Sequence, residues 1–236
     1  MKKIIHRADS RGRSELGWLH SRFSFSFADY YNPEKMGFGL LRVLNDDIVE
    51  PGTGFGTHPH DNMEIITIIL DGELQHKDSM GSVSVIKKDE VQVMSAGSGI
   101  THSEINPSAD ERVNLLQLWI FPKEKNIKPR YDQKKFPVEG RKNILQTVAS
   151  GFKTEGSLYI HQDAAITLGN AEKGNAVTYK NFKPGNGAYL FVINGKINLS
   201  EEKLNARDAL GVWGKDQLDI YAEENSEFVI IEIPMN

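Results

Sequence analysis

Apolar positions in this chain fall into short runs and alternations rather than helical stripes. Ile65-Ile66-Thr67-Ile68-Ile69-Leu70 is a β-branched run that meets Asp71-Gly72 and resumes as Glu73-Leu74-Gln75-His76. Tyr189-Leu190-Phe191-Val192-Ile193 likewise runs into Asn194-Gly195 and then Lys196-Ile197-Asn198-Leu199. Asp-Gly or Asn-Gly between two apolar runs signals a two-residue hairpin, since both turn positions need φ > 0. Two hairpins are therefore expected. Downstream of them, Lys88-Asp89-Glu90-Val91-Gln92-Val93-Met94 echoes Arg207-Asp208-Ala209-Leu210-Gly211-Val212-Trp213. Each copy closes on an apolar strand that stops at proline, before Pro122 and before Pro234. Gly72 and Gly195 stand 123 residues apart, and Asp89 and Asp208 stand 119 apart. A repeat of that length predicts a duplicated domain rather than a solenoid.

Helical signal is weak. Ser108-Ala109-Asp110-Glu111 and Glu223-Glu224-Asn225 read as turns. The polar stretch from Lys123 to Gly140, marked by Pro122, Pro129 and Pro137, reads as the connection between the halves. The expected fold class is all-β, built as paired sandwiches or barrels and divided into domains 1–133 and 134–236.

Composition narrows the chemistry. With 39% apolar and 25% charged residues in 236, the chain has the balance of an ordinary globular protein. It has no cysteine, which excludes disulfides and thiolate metal sites. Any metal must be held by imidazole and carboxylate, a donor set suited to Fe, Mn, Ni, Co, Cu or Zn. A net charge of −4 and a pI near 6.0 argue against direct contact with nucleic acid. The opening MKKIIHRADSRGRSE lacks the apolar core of a signal peptide, and no run suggests a membrane span. A soluble cytoplasmic protein is expected.

The segment Gly52-Thr53-Gly54-Phe55-Gly56-Thr57-His58-Pro59-His60-Asp61-Asn62-Met63-Glu64 carries the first candidate site. Side chains at i and i+2 of a strand share a face, so His58 and His60 can reach one ion. Pro59 cannot donate to a ladder, which places this stretch at an edge or rim. A second pair, His102 and Glu104, follows the glycine-rich Gly97-Ser98-Gly99. Two such pairs on neighbouring strands would set three imidazoles and a carboxylate around a point. Glu64 shares the parity of His58 and His60 and is a rival carboxylate, unless Asp61-Asn62 breaks the strand. Spacing alone leaves Glu64 and Glu104 both open.

The other histidines are read as structural or surface residues. His76 is expected to face solvent just past its hairpin, and His6, His20 and His161 have no companions. The matching stretch of the second copy, Tyr179-Lys180-Asn181-Phe182-Lys183-Pro184, has no histidine, so the second half is expected to be metal-free. Phe23, Phe25 and Phe55 are candidates for an apolar pocket wall, with core packing as their plainer role.

Taken together, these residues resemble a known family. His58-x-His60, Asp71-Gly72 and Gly97-Ser98-Gly99-Ile100-Thr101-His102-Ser103-Glu104-x-Asn106 look like the two cupin motifs in their pirin form. Gly17-Trp18-Leu19, Phe23 through Tyr31, Gly37-Phe38-Gly39 and Leu41 through Asp47 resemble the pirin opening. Asp89 and Gly97 depart from the general cupin pattern in the manner of the pirin branch. The resemblance implies a bicupin of two packed jelly-roll barrels, the first binding one divalent transition metal ion and the second degenerate. It also implies Glu104 as the carboxylate ligand. The nearest branch is that of bacterial pirin-like quercetin 2,3-dioxygenases. It implies a dioxygenase that opens the central ring of a small aromatic enol, a flavonol, with O2 and releases carbon monoxide. Glu104 would be its catalytic base. The alternative that the family offers is a non-enzymatic regulator that binds a protein partner or small ligand.

Overall fold

The computed structural model describes residues 1–199 and 201–235. The opening strand, β1 (Lys2–His6), is followed by β2 (Gly12–Glu15), β3 (Leu19–Phe23), β4 (Leu41–Val49), β5 (Gly54–His60) and β6 (Glu64–Asp71). Next come β7 (Glu73–Asp78), β8 (Val83–Lys87), β9 (Glu90–Ser95), β10 (Ile100–Ile105), β11 (Val113–Ile120) and β12 (Arg130–Lys135). The later half contains β13 (Leu145–Ser150), β14 (Leu158–Tyr159), β15 (Ala165–Ala171), β16 (Ala176–Lys180) and β17 (Gly187–Asn194). It ends with β18 (Lys196–Leu199), β19 (Glu202–Asn205), β20 (Ala209–Trp213), β21 (Gln217–Ala222) and β22 (Ser226–Ile233). Among the described residues, helix is confined to short 3-10 turns at Ala8–Ser10 and Val138–Arg141.

Each half is a seven-stranded sheet facing a four-stranded one, and the strand orders match. The first barrel reads β12-β9-β6-β11-β4-β3-β2 with β5-β10-β7-β8. The second reads β1-β20-β17-β22-β15-β13-β14 with β16-β21-β18-β19. The duplication expected from the sequence echo is thus a duplication of topology. The position that β12 fills in the first barrel is filled in the second by β1, which crosses from the chain start to pair with β20.

Alternation along the strands decides where the cores lie. Leu44, Ile66, Ile68, Leu116, Leu118 and Ile120 point out of the first barrel and pack against Ile166, Tyr189, Phe191, Val229 and Ile231 of the second. The largest apolar cluster therefore lies between the two seven-stranded sheets. The second barrel is filled by its own continuous cluster, including Leu190, Val192, Leu210, Leu218 and Ile230. The first is not. Its interior holds two separate apolar groups, one around Leu74, Ile86 and Leu115 and one around Ile65, Met94 and Ile100. Between them sit buried polar side chains, among them Thr67, Gln92, His76, His102 and Glu104.

Two expectations are corrected here. Asp71-Gly72 and Asn194-Gly195 are not hairpins, because β6 pairs with β9 and β11 whereas β7 pairs with β8 and β10, and β17 and β18 likewise lie in different sheets. They are corners at which the chain leaves one sheet for the other. Only the glycines turn left-handed, Gly72 at φ 77° and Gly195 at φ 83°. A Cβ there would run into the carbonyl oxygens of Arg112 and Asn225. The second correction is that the connection from Lys123 to Gly140 contains a strand. β12 is polar and half-exposed, as befits an edge, so it shows no apolar alternation.

Candidate metal centre

The first pair of histidines lies on an edge strand, as Pro59 requires, since β5 borders the four-stranded sheet. β10 runs antiparallel beside it, with His102 opposite His58 and Ile100 opposite His60. The ladder shifts register between His102 and Glu104, so that Glu104 comes opposite Phe55. Ser103 of β10 thus faces both Thr57 and Gly56 of β5, a bulge of one extra residue. The His58 Nδ1 contacts the Gly56 carbonyl oxygen at 2.7 Å. That carbonyl can only accept, so Nδ1 carries the hydrogen and Nε2 is left with its lone pair.

His58, His60 and His102 converge, each offering a ring nitrogen within 4.8 Å of the others. Their ring centroids are 4.4 Å apart for His58 and His102, 5.0 Å for His60 and His102, and 4.9 Å for His58 and His60. His102 is buried, and its Nε2 has no hydrogen-bond partner. A buried imidazole nitrogen without a partner is costly unless something else fills the role. Three imidazoles with an unpartnered lone pair among them fit a divalent first-row ion.

Burial keeps His60 and His102 neutral. Desolvation, reinforced by His58, lowers His60 to about 4. Desolvation, then the neighbouring His58, His60 and His76, lowers His102 to about 3. A neutral imidazole is the form that ligates a metal.

Glu104 joins a second, overlapping group with His76 and His102. Its carboxylate lies inside the barrel, accepting a 2.9 Å hydrogen bond at Oε2 from Gln117 Nε2. Oε1 has only a long 3.5 Å contact from the Thr67 hydroxyl. Trp119 Nε1 donates to Gln117 Oε1 at 3.2 Å, which fixes the amide so that its NH2 group faces Glu104. Burial pushes the Glu104 carboxyl above the usual carboxylate range.

Glu64 points elsewhere. Asn62 takes a left-handed φ of 47°, which breaks the parity carried over from His60. Glu64 then shares the face of Ile66 and Ile68 and turns to the seam between the barrels. There its Oε2 accepts from the Ser95 hydroxyl at 2.9 Å and from the His161 backbone N–H at 3.1 Å.

His76 is the clearest correction among the histidines. It is fully buried rather than solvent-facing. In β7, Leu74, His76 and Asp78 are buried and Lys77 is exposed; the alternation of Leu74 with Lys77 already assigns His76 to the inner face. Phe23 and Phe25 are core residues, and Phe25 packs on His6 and Tyr189. Phe55 stands edge-on to Trp18, 6.5 Å from the His58 ring. An aromatic wall that spacing did not reveal comes from Trp119, edge-on to His60 at 4.8 Å, backed by Phe27 at 5.3 Å.

The family model for pirin matches residues 5–120, and that for the quercetinase C-terminal cupin domain matches residues 147–233. Quercetin 2,3-dioxygenase of Escherichia coli (strain K12) is 40% identical over 231 residues, covering 98% of each chain. The chain belongs to the pirin family. A pirin-like protein of Caulobacter vibrioides is 40% identical over 225 residues, covering 95% of this chain and 96% of that one. The crystal structure of the bacterial pirin YhhW of Escherichia coli in complex with nickel(II) superposes with a TM-score of 0.93 at 39% identity, over 99% of both chains. The fold is therefore the two-domain cupin architecture of the pirins, and no helix among the described residues is long and apolar enough to cross a membrane.

Proposed function

We propose that this pirin holds one divalent transition metal ion with His58, His60, His102 and Glu104, and uses it as a dioxygenase on a flavonol such as quercetin. The observation that carries the reading is the unpartnered Nε2 of His102 among three convergent imidazoles, with a buried carboxylate beside them. The nickel(II) complex of YhhW and the dioxygenase names of the relatives support it.

When bound, the ion supplies a Lewis acid that stabilises an enolate oxygen. The remaining work belongs to the chain. Glu104 takes the enol proton at Oε1, the oxygen that Gln117 leaves free. Its raised affinity for a proton suits a base that must hold one inside the barrel. Gln117, fixed by Trp119, keeps the carboxylate from rotating. Trp119 and Phe27 flank the mouth and offer flat apolar faces to an aromatic ring system.

The test is aerobic incubation of metal-loaded protein with quercetin, following loss of the flavonol absorption band and release of carbon monoxide. Turnover is expected, and it should vanish in a His58→Ala/His102→Ala control. Absence of turnover above that control, across Fe, Mn, Ni, Co and Cu, would return the protein to the regulatory reading.

A further inference from the structure

His76 is buried at the floor of the site, directly opposite Glu104 in the ladder between β7 and β10. Tyr131, reaching in from β12, stacks on its ring at 4.6 Å with the planes 29° apart. Below it, Asp78 Oδ1 accepts the backbone N–H groups of Met80 at 2.9 Å and Ser82 at 3.0 Å. The other carboxylate oxygen lies 3.1 Å from His76 Nε2. On the far side of the ring, His76 Nδ1 faces His102 Nδ1 at 3.5 Å.

We propose that Asp78 and His76 are positioning residues that lock His102 in the tautomer whose Nε2 is unprotonated. An ionised carboxylate only accepts, so the hydrogen between Asp78 and His76 sits on His76 Nε2. With its hydrogen on Nε2, His76 presents the lone pair of Nδ1 to His102. The hydrogen between the two imidazoles therefore belongs to His102 Nδ1, and His102 Nε2 is bare. That bare atom is the one the structure leaves buried without a partner. A hydrogen bond to the second nitrogen is how ligating histidines are generally oriented, and here the chain extends through a second histidine to a carboxylate. The inference rests on the metal-binding reading for its purpose, but not for its geometry.

Asp78→Asn inverts the relay without changing its volume. The Met80 and Ser82 N–H groups hold the amide oxygen, so the NH2 group turns to His76 Nε2. His76 then carries its hydrogen on Nδ1, His102 Nδ1 accepts it, and His102 Nε2 becomes protonated. His76→Gln, by contrast, can keep a carbonyl acceptor toward His102.

The experiment is 15N NMR of histidine-labelled, metal-free protein, together with nickel(II) affinity by isothermal titration calorimetry. His102 Nε2 is expected to show the unprotonated signature in wild type and in His76→Gln, and the protonated one in Asp78→Asn. Nickel(II) affinity should fall about 10–100-fold in Asp78→Asn, the range typical of lost outer-shell partners, and by only a few-fold in His76→Gln. A protonated His102 Nε2 in the wild type overturns the proposal, as does an Asp78→Asn variant that keeps both signature and affinity. Should Asp78→Asn fail to fold, the wild-type spectrum decides alone. A wild type that shows the expected tautomer but binds no nickel(II) upholds the relay and sinks the metal reading instead.

Discussion

Two glutamates compete for the place beside the imidazoles, and one backbone angle separates them. Spacing put Glu64 and Glu104 on equal terms, because parity counts residues and not bends. The left-handed Asn62 turns Glu64 to the seam, whereas the regular pairing of β10 with β7 keeps Glu104 on the same inner face as His102. Elemental analysis of purified variants should find metal retained in Glu64→Ala and lost in Glu104→Ala. Glu64 has a cost of its own. Burial raises its carboxyl from 4.5 to about 7, so folding binds its proton more tightly than the unfolded chain does. That contribution is fully present below pH 4.5 and is lost as pH rises through 7. Glu64→Gln should therefore be more stable than wild type at pH 8, by up to about 3 kcal/mol. The gain should shrink toward pH 5, as urea denaturation at the two values would show. At this scale the convergence of His58, His60 and His102 was legible because i, i+2 geometry is local. His76 was misread because a supposed hairpin outweighed the alternation of Leu74 and Lys77, and its partners Tyr131 and His102 come from distant strands.

At the scale of elements, the sequence announced strands clearly and their pairing poorly. The β-branched runs, the proline stops and the duplicated echo all survive in the structure. Asp71-Gly72 was misassigned because a corner between sheets and a hairpin within one both need a left-handed glycine. β12 was hidden because an edge strand of Arg, Tyr, Asp, Gln and Lys has the composition of a linker. The linker also braces the mouth. Ser98 donates its backbone N–H to the Ile127 carbonyl at 2.8 Å, and Asn126 donates its own to Asn62 Oδ1 at 2.7 Å. Gly97 lies beneath this strap at φ 49°, where a Cβ would collide with the Ile127 carbonyl oxygen. Gly97→Ala is expected to destabilise the protein by more than about 1 kcal/mol, from strain and collision together, measured by urea denaturation. An unchanged midpoint would show that the strap yields freely.

For the whole molecule, the main contrast is between the two barrel interiors. The second is packed with aliphatic side chains, while the first gives up continuous packing to house polar ones. The deficit is offset outside, where the two seven-stranded sheets share one apolar layer. Leu116 lies in that layer and is completely buried. Leu116→Ala should cost about 2–5 kcal/mol, and calorimetry should show both barrels melting in a single shifted transition. Two separated transitions would mean that the layer does not couple them. Nothing in the alternation alone said that the outward faces meet.

The crossing of β1 has a consequence for synthesis. Lys2 stands opposite Trp213 and His6 opposite Ala209. On the ribosome β1 emerges more than two hundred residues before its partner β20 exists. The first barrel has all its own strands once β12 is out, so it can close while β1 still hangs free. The second barrel then recruits β1 across more than two hundred residues. Docking it is a late step whose loop-closure entropy must be met before the ladder gives anything back. Removing residues 1–6 should leave the first barrel's amides protected and expose those of β20 to rapid hydrogen exchange. A strand made before all the rest of its own barrel would be the last of that barrel to find its place.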